Sequence, residues 1–249
     1  MAVGLEGGCR VTDLREGEPE RQGSLQVWTH FGRRSGASAI SLRVLDLAAG
    51  LSPPLGNAGC DEVLYVLEGE GSVRLDGRTH TVAPGTGIYL APGVGATFEN
   101  TGPGALVVVS SRCPDPEGAG VEPVPAPAPT LIAAPVVRLW ERTAEITGDR
   151  WYRVLVDQSV GCSRVTQFVG SIPPGRAPDH YHAYEEVLCI LAGAGRMWAG
   201  PTSTPIGPGS CVFLPRGQVH CVENTGPGEL RLLGVFYPSG SPAVRYDPD

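Results

Sequence analysis

The sequence predicts an all-β protein made of two copies of one unit, and three observations carry that prediction. Short runs rich in Val, Leu, Ile, Tyr and Phe recur at regular spacing, with no amphipathic helical stretch among them. Glycine (35) and proline (24) are both abundant, as expected where many short strands are joined by tight turns. Finally, a pattern repeats at a constant offset of 124 residues: Glu62 answers Glu186, Gly69 Gly193, Gly85 Gly209, Gly93 Gly217 and Asn100 Asn224. A fixed offset over so long a stretch means a duplicated unit. Residues 64–69 and 188–193 share a strand pattern, and residues 99–104 and 223–228 share the identical turn Glu-Asn-Thr-Gly-Pro-Gly.

Length and composition bound the function. A chain of 249 residues is the size of two ordinary domains, and a hydrophobic content of 41% permits a proper core in each. A net charge of −7 opposes nucleic acid or an anionic membrane as a partner. No apolar run approaches the roughly 18 residues that span a bilayer. The first residues lack the basic and then apolar regions of a signal peptide, so a cytoplasmic protein is expected. Cys9, Cys60, Cys113, Cys162, Cys189, Cys211 and Cys221 are odd in number and include no C-x-x-C pair, which reads as buried, reduced thiols. All nineteen basic residues are arginine. Schiff-base and PLP chemistry both require a lysine amine and are excluded.

Taken in order, residues 1–24 are polar and Gly/Glu-rich, a lead-in able to add an edge strand. Residues 25–112 form the first β unit, beginning with the strand-like residues 26–31 and 38–47. Residues 113–135 are a Pro/Ala-rich linker of polyproline character. Residues 136–249 form the second unit, opening with a passage at 136–148 that suits either a short helix or an edge strand. Its strand candidates are residues 153–156, 163–172, 185–191, 195–199, 211–214, 218–222 and 230–237. Strands at this spacing point to an all-β barrel or sandwich.

The chemistry concentrates in the second unit. Only five histidines occur in the chain, and His180, His182 and His220 fall at spacings that suit a metal. Successive side chains of a strand alternate faces, so His180 and His182 point the same way. With the strand continued in register, Glu186 shares that face. Three neutral imidazoles and a carboxylate make a mixed N/O site for Fe(II), Mn(II), Ni(II), Cu(II) or Zn(II). The absence of a cysteine ligand argues against a closed structural zinc site. The first unit keeps Glu62 but has Gly56, Ala58 and Ala96 where the histidines would stand. One carboxylate without imidazoles does not hold a transition metal, unless Cys60 or Asp61 rearranges to help. His30 and His80 have no ligand-spaced companions and are expected to be surface or hydrogen-bonded strand histidines.

These residues carry a resemblance. Gly175, His180-x-His182, Glu186 and Gly193, followed by Gly209, Pro215-x-Gly217, His220 and Asn224, resemble the paired motifs of the cupin superfamily. The first motif departs by one residue, with four in place of five between Gly175 and His180. The resemblance covers roughly residues 36–110 and 150–237. It implies two tandem cupin barrels of the double-stranded β-helix, jelly-roll type, with His180, His182, Glu186 and His220 as ligands of one divalent transition metal. It implies also that the barrels pack as dimer subunits do, which makes a monomer with an internal pseudo-dimer feasible alongside a homodimer. The ligand set is similar to that of quercetinase-like and other dioxygenases, and equally to that of oxalate decarboxylases and sugar-phosphate isomerases such as mannose-6-phosphate isomerase.

A four-ligand site leaves octahedral positions open for water, dioxygen or substrate. The expected partner is therefore a small molecule. Dioxygenase-like oxidoreductase chemistry leads, followed by metal-dependent isomerisation or decarboxylation of a sugar or keto acid, and then by non-catalytic ligand binding. The pocket candidates are Tyr184, which shares the ligands' parity, Arg196 and Trp198 on the next strand, and Phe168 or Gln167, depending on register. Tyr181 is expected to point away, and Glu185 to face solvent or bond backbone. No general acid or base is identifiable.

Overall fold

Alternation of apolar and polar residues, broken by Gly-Pro turns, produces short strands that bury one or both faces. The computed structural model describes residues 2–57, 59–116 and 134–248. Within them the chain folds into two β-barrels, each made of one large and one small antiparallel sheet. The large sheet of the first barrel is centred on Asp61–Glu68 between Thr86–Leu90 and Leu106–Cys113; that of the second is centred on Glu185–Ala192 between Ser210–Leu214 and Leu230–Tyr237. The expected linker lies mostly outside the described residues, at 117–133.

Three apolar cores result. Leu45, Leu64, Val66, Val73, Phe98 and Val108 fill the first barrel. Phe168, Leu188, Ile190, Met197, Val222 and Phe236 fill the second. The third joins the barrels: Val63, Tyr65, Val107 and Val109 of the first sheet meet Val187, Cys189, Leu233 and Val235 of the second. A strand buried on both faces reads as a continuous apolar run, which is why the alternation signal is weak in Asp61–Glu68 and Glu185–Ala192. All seven cysteines are buried free thiols.

The barrels also exchange edge strands. The lead-in strand Arg10–Asp13 pairs with Ser210–Leu214 of the second barrel, and Val136–Arg138 pairs back onto Thr86–Leu90 of the first. The sequence grouped residues 136–138 with the second unit. Their pairing partner instead lies in the first, because the apolar edge of that sheet is where a strand following the linker can be hydrogen-bonded. The passage at 136–148 is neither simply helix nor strand. It consists of the strand Val136–Arg138, a 3-10 turn Leu139–Glu141 and the strand Glu145–Thr147.

Two acidic residues at equivalent positions lock the interface. Asp61 of the first barrel meets the Arg164 guanidinium at 2.6 Å and accepts a hydrogen bond from the Tyr89 hydroxyl at 2.6 Å. Glu185, its repeat mate, accepts hydrogen bonds from the amides of Ser38 at 2.9 Å and Ala39 at 2.7 Å in the other barrel. Of the two places expected for Glu185, the structure selects the backbone contact and buries the side chain. His30 is likewise accounted for structurally, its Nε2 lying 2.7 Å from the Leu14 carbonyl.

Candidate metal centre

The site is assembled by a segment held open beside the second barrel's small sheet. Gly175–Arg176 pairs with the end of His220–Asn224, and the following residues run alongside that strand. His180 then faces His220 directly, each amide donating to the other's carbonyl at 3.0 and 2.8 Å. His182, two residues on, shares the face as strand parity requires, and its carbonyl accepts from the Gly217 amide at 2.8 Å. The chain bends at Ala183 and Tyr184 before Glu185–Ala192 begins, yet Glu186 still turns inward, with Oε2 3.4 Å from His182 Nε2.

The three imidazoles each present a nitrogen within 4.8 Å of the others. The orientation of two of them is imposed by backbone. His180 Nδ1 lies 2.9 Å from the Pro178 carbonyl and His220 Nδ1 lies 2.8 Å from that of Gln218. A carbonyl only accepts, so each Nδ1 carries the proton and each Nε2 keeps a lone pair, the tautomer a metal requires. Burial lowers the His182 pKa to about 4 and that of His220 to about 3, with neighbouring His180 adding to both. Burial alone pushes Glu186 up to about 8. At neutral pH the 3.4 Å approach of His182 and Glu186 is therefore not an ion pair. A divalent cation among these atoms would supply the missing charge and favour the carboxylate. The donor set, tautomers and convergence all fit a transition metal.

These groups form one wall of a cavity of about 430 Å³. Phe168, Leu188, Leu214 and Leu232 make its apolar sides, and Arg150 and Arg245 stand among its lining residues. Phe168 is the pocket candidate that the structure brings to the site. It packs edge-on against Tyr152 and Phe236 at 6.4 and 6.0 Å, and its ring fills the space where a Cβ at Gly234 would stand. Gln167, the other register, is fully buried and faces the first barrel at Gly87.

Three candidates require correction. Tyr184 lies behind the site: the bend at Ala183 and Tyr184 turns its ring between His182, at 4.8 Å, and Phe236, at 4.4 Å, so it backs a candidate ligand without lining the cavity. Arg196 and Trp198 alternate with fully buried Met197 and so face outward. There Trp198 lies between Arg176 and Arg196 and donates to Glu223 at 2.8 Å. Arg150, Arg176 and Arg245 line the cavity without having been singled out. Arg176, next to motif residue Gly175, was open to recognition from its position; Arg245 lies in a tail with no periodic signal.

Among the described residues the first barrel has no such centre. Glu62, repeat mate of Glu186, is ion-paired with Arg43 and Arg112 and accepts from the Ser110 hydroxyl at 2.7 Å. Gly56 has φ +150, and a Cβ there would lie 2.7 Å from the Val94 carbonyl. A histidine is thus refused by backbone as well as by sequence. Ala58 lies outside the described residues.

Two β-barrels of this topology in one chain define a bicupin. The family described as Cupin domain matches residues 45–111 and 168–236, and the chain belongs to the cupin family. Among curated relatives, auxin-binding protein 1 of Arabidopsis thaliana is 29% identical over 86 residues, covering 30% of this chain and 43% of the relative. An oxalate-binding protein of Thermotoga maritima is 36% identical over 67 residues, covering 26% and 55%. The chain thus spans about half the length of these relatives. Similar solved structures include protein Ylba from E. coli (TM-score 0.78, 16% identity, 98% of this chain and 96% of that one). A glyoxylate-induced protein from Pseudomonas aeruginosa matches with TM-score 0.75, 21% identity and coverage of 94% and 90%. A mutant of Bacillus subtilis oxalate decarboxylase matches with TM-score 0.71, 14% identity and coverage of 92% and 77%. At these identities the structures establish shared fold. No helix among the described residues is long and apolar enough to cross a membrane.

Proposed function

We propose that the second barrel holds one divalent transition metal on His180, His182, His220 and Glu186 and acts through it on a small molecule, most favourably in dioxygen-dependent oxidation. The convergence of three imidazoles, two of them held in the ligating tautomer, and one buried carboxylate on the wall of a substrate-sized cavity carries this reading. Such a metal supplies Lewis acidity and, where redox-active, a route for electrons between substrate and dioxygen.

The chain's own residues prepare that chemistry. The Pro178 and Gln218 carbonyls hold two imidazoles in their ligating tautomers, and Tyr184 braces the third. Phe168, Leu188, Leu214 and Leu232 exclude water from one side of the cavity. Apart from Glu186, the lining carboxylate is Asp149, 76% exposed and beside Arg150. An isomerase needs a positioned group to move protons; the lining Tyr152 hydroxyl is already donated to Glu145 at 2.7 Å, which supports oxidation over such a route. A second reading, decarboxylation of a small keto acid or oxalate-like acid, is supported by fold kinship with oxalate decarboxylase and by the oxalate-binding relative.

The test is metal analysis of protein purified without added metal, then oxygen uptake after anaerobic Fe(II) reconstitution with flavonols, catechols, β-diketones and keto acids. Stoichiometric metal and substrate-dependent uptake are expected. Bound metal with carbon dioxide release and no uptake would establish the second reading, and no metal binding would overturn both.

A further inference from the structure

The substrate class can be narrowed from the cavity mouth, in an argument that rests on the metal reading above. We propose that Arg245 and Arg150 form a carboxylate clamp there, so that the substrate is a small acid bound at one end by these guanidiniums and at the other by the His/Glu centre.

Arg245 is held in place despite lying near the end of the chain. Tyr246 and Tyr181 exchange backbone hydrogen bonds of 3.1 and 2.9 Å, and their rings stack at 5.4 Å. Tyr181 sits between His180 and His182, so the tail is strapped onto the segment that carries two candidate ligands. Its preceding turn is closed by the Val244 amide on the Ser241 carbonyl at 3.1 Å. Arg150 comes from a different segment, at the start of the strand Arg150–Val156, which pairs with Glu145–Thr147. The Tyr152 hydroxyl ties strap and hairpin together: it donates to Glu145 at 2.7 Å and lies 3.4 Å from the Ser241 hydroxyl. Two arginines on separate segments are thereby presented to one cavity by fixed contacts.

Their charge is little committed. Among the described residues no ion pair or hydrogen bond engages the Arg245 side chain, and Arg150 has only exposed Asp149 at 3.6 Å. The third lining arginine, Arg176, is already engaged by Asp179 at 3.1 Å and by the face of Trp198. In a chain of net charge −7, a cationic mouth focuses attraction on anions. The inner sides are apolar, so an acid entering the cavity finds its compensating charge at the mouth and at the metal wall. Guanidinium is the donor best shaped for carboxylate.

The test uses the full chain loaded with Co(II), whose visible absorption reports occupancy and changes when a ligand enters. Malonate, succinate and glutarate are compared with propionate as probes, in wild type, in R150A/R245A and in the lysine pair R150K/R245K. Wild type is expected to bind at least one dicarboxylate about tenfold or more tightly than propionate, as charge-assisted hydrogen bonds allow. The alanine pair should bring that ratio close to one while the Co(II) absorption of the ligand-free protein stays as in wild type, and the lysine pair should restore part of it. A wild type without dicarboxylate preference, or a preference that survives in the alanine pair, would overturn the clamp while leaving the metal reading intact. Failure of wild type to take up Co(II) would overturn both.

Discussion

Glu62 and Glu186 occupy the same place in two copies of one barrel and live in opposite environments. Glu62 is surrounded by Arg43, Arg112 and Ser110. Pairing across the sheets places Phe168, Phe236 and Gly234 at the corresponding positions around Glu186. Burial raises both carboxyl groups, but in the first barrel the two guanidiniums outweigh it and the pKa is lowered. In the second nothing opposes burial, and the pKa rises to about 8. One carboxylate has been given permanent organic cations; the other is left suited to a metal. The duplicated fold thus separates two environments of one position, a structural ion-pair network and a candidate ligand site.

The comparison can be broken most severely at the imidazoles. The double variant His180→Ala, His220→Ala should lose essentially all bound metal, whereas Glu62→Gln should keep it, as measured by metal analysis of purified protein. Equal metal loss in both would mean that the first barrel contributes a site of its own.

Glu62→Gln should instead act on stability. It leaves the partly buried Arg43 and Arg112 without their counter-charge, a change expected toward the lower end of the about 3–5 kcal/mol seen when fully buried pairs are broken. Urea unfolding would measure it, and a loss no greater than that of a surface substitution would show that the arginines find water or other partners. Smaller again is Gly234→Ala. Its Cβ would overlap the Phe168 ring, forcing that side chain from the cavity wall at a cost of about 1–3 kcal/mol. The reverse exchange in the first barrel, Ser110→Gly, should disturb no ring. A Gly234→Ala protein with unchanged melting temperature and unchanged cavity binding would remove Phe168 from its assigned place.

The subtlest test is pH. Glu62 has a folded pKa below the ordinary 4.5, so its stabilisation is complete above that value and is lost as pH falls. Glu186 in metal-free protein has a folded pKa of about 8, so its favourable contribution is complete below 4.5 and is lost as pH rises from 4.5 to 8. Urea midpoints of metal-free protein should therefore show a decline over pH 4.5 to 8 that Glu186→Gln flattens, while Glu62→Gln flattens only the more acidic limb. Identical pH profiles for the two variants would contradict the difference in environment.

Much of this contrast was readable in the chain. The 124-residue repeat announced two units, and alternation put His180 and His182 on one face. The loss of histidines at Gly56 and Ala96 separated the two copies. Strand parity also carried two candidates, Arg196 and Trp198, to the wrong face, because parity fixes which residues share a side but not which side is interior. Tyr184 was misplaced by a bend that breaks the register between His182 and Glu186.

The sequence by itself therefore determined the fold class, the duplication and the set of candidate ligands, since each is a matter of local period and spacing along the backbone. Only the tertiary structure decided the exchange of edge strands, the lock of Asp61 on Arg164 and of Glu185 on Ser38 and Ala39, and the arrival of Arg245 beside His180. Those contacts join residues far apart in the chain, and their partners are chosen by packing between barrels, for which no local pattern in the sequence provides a signal.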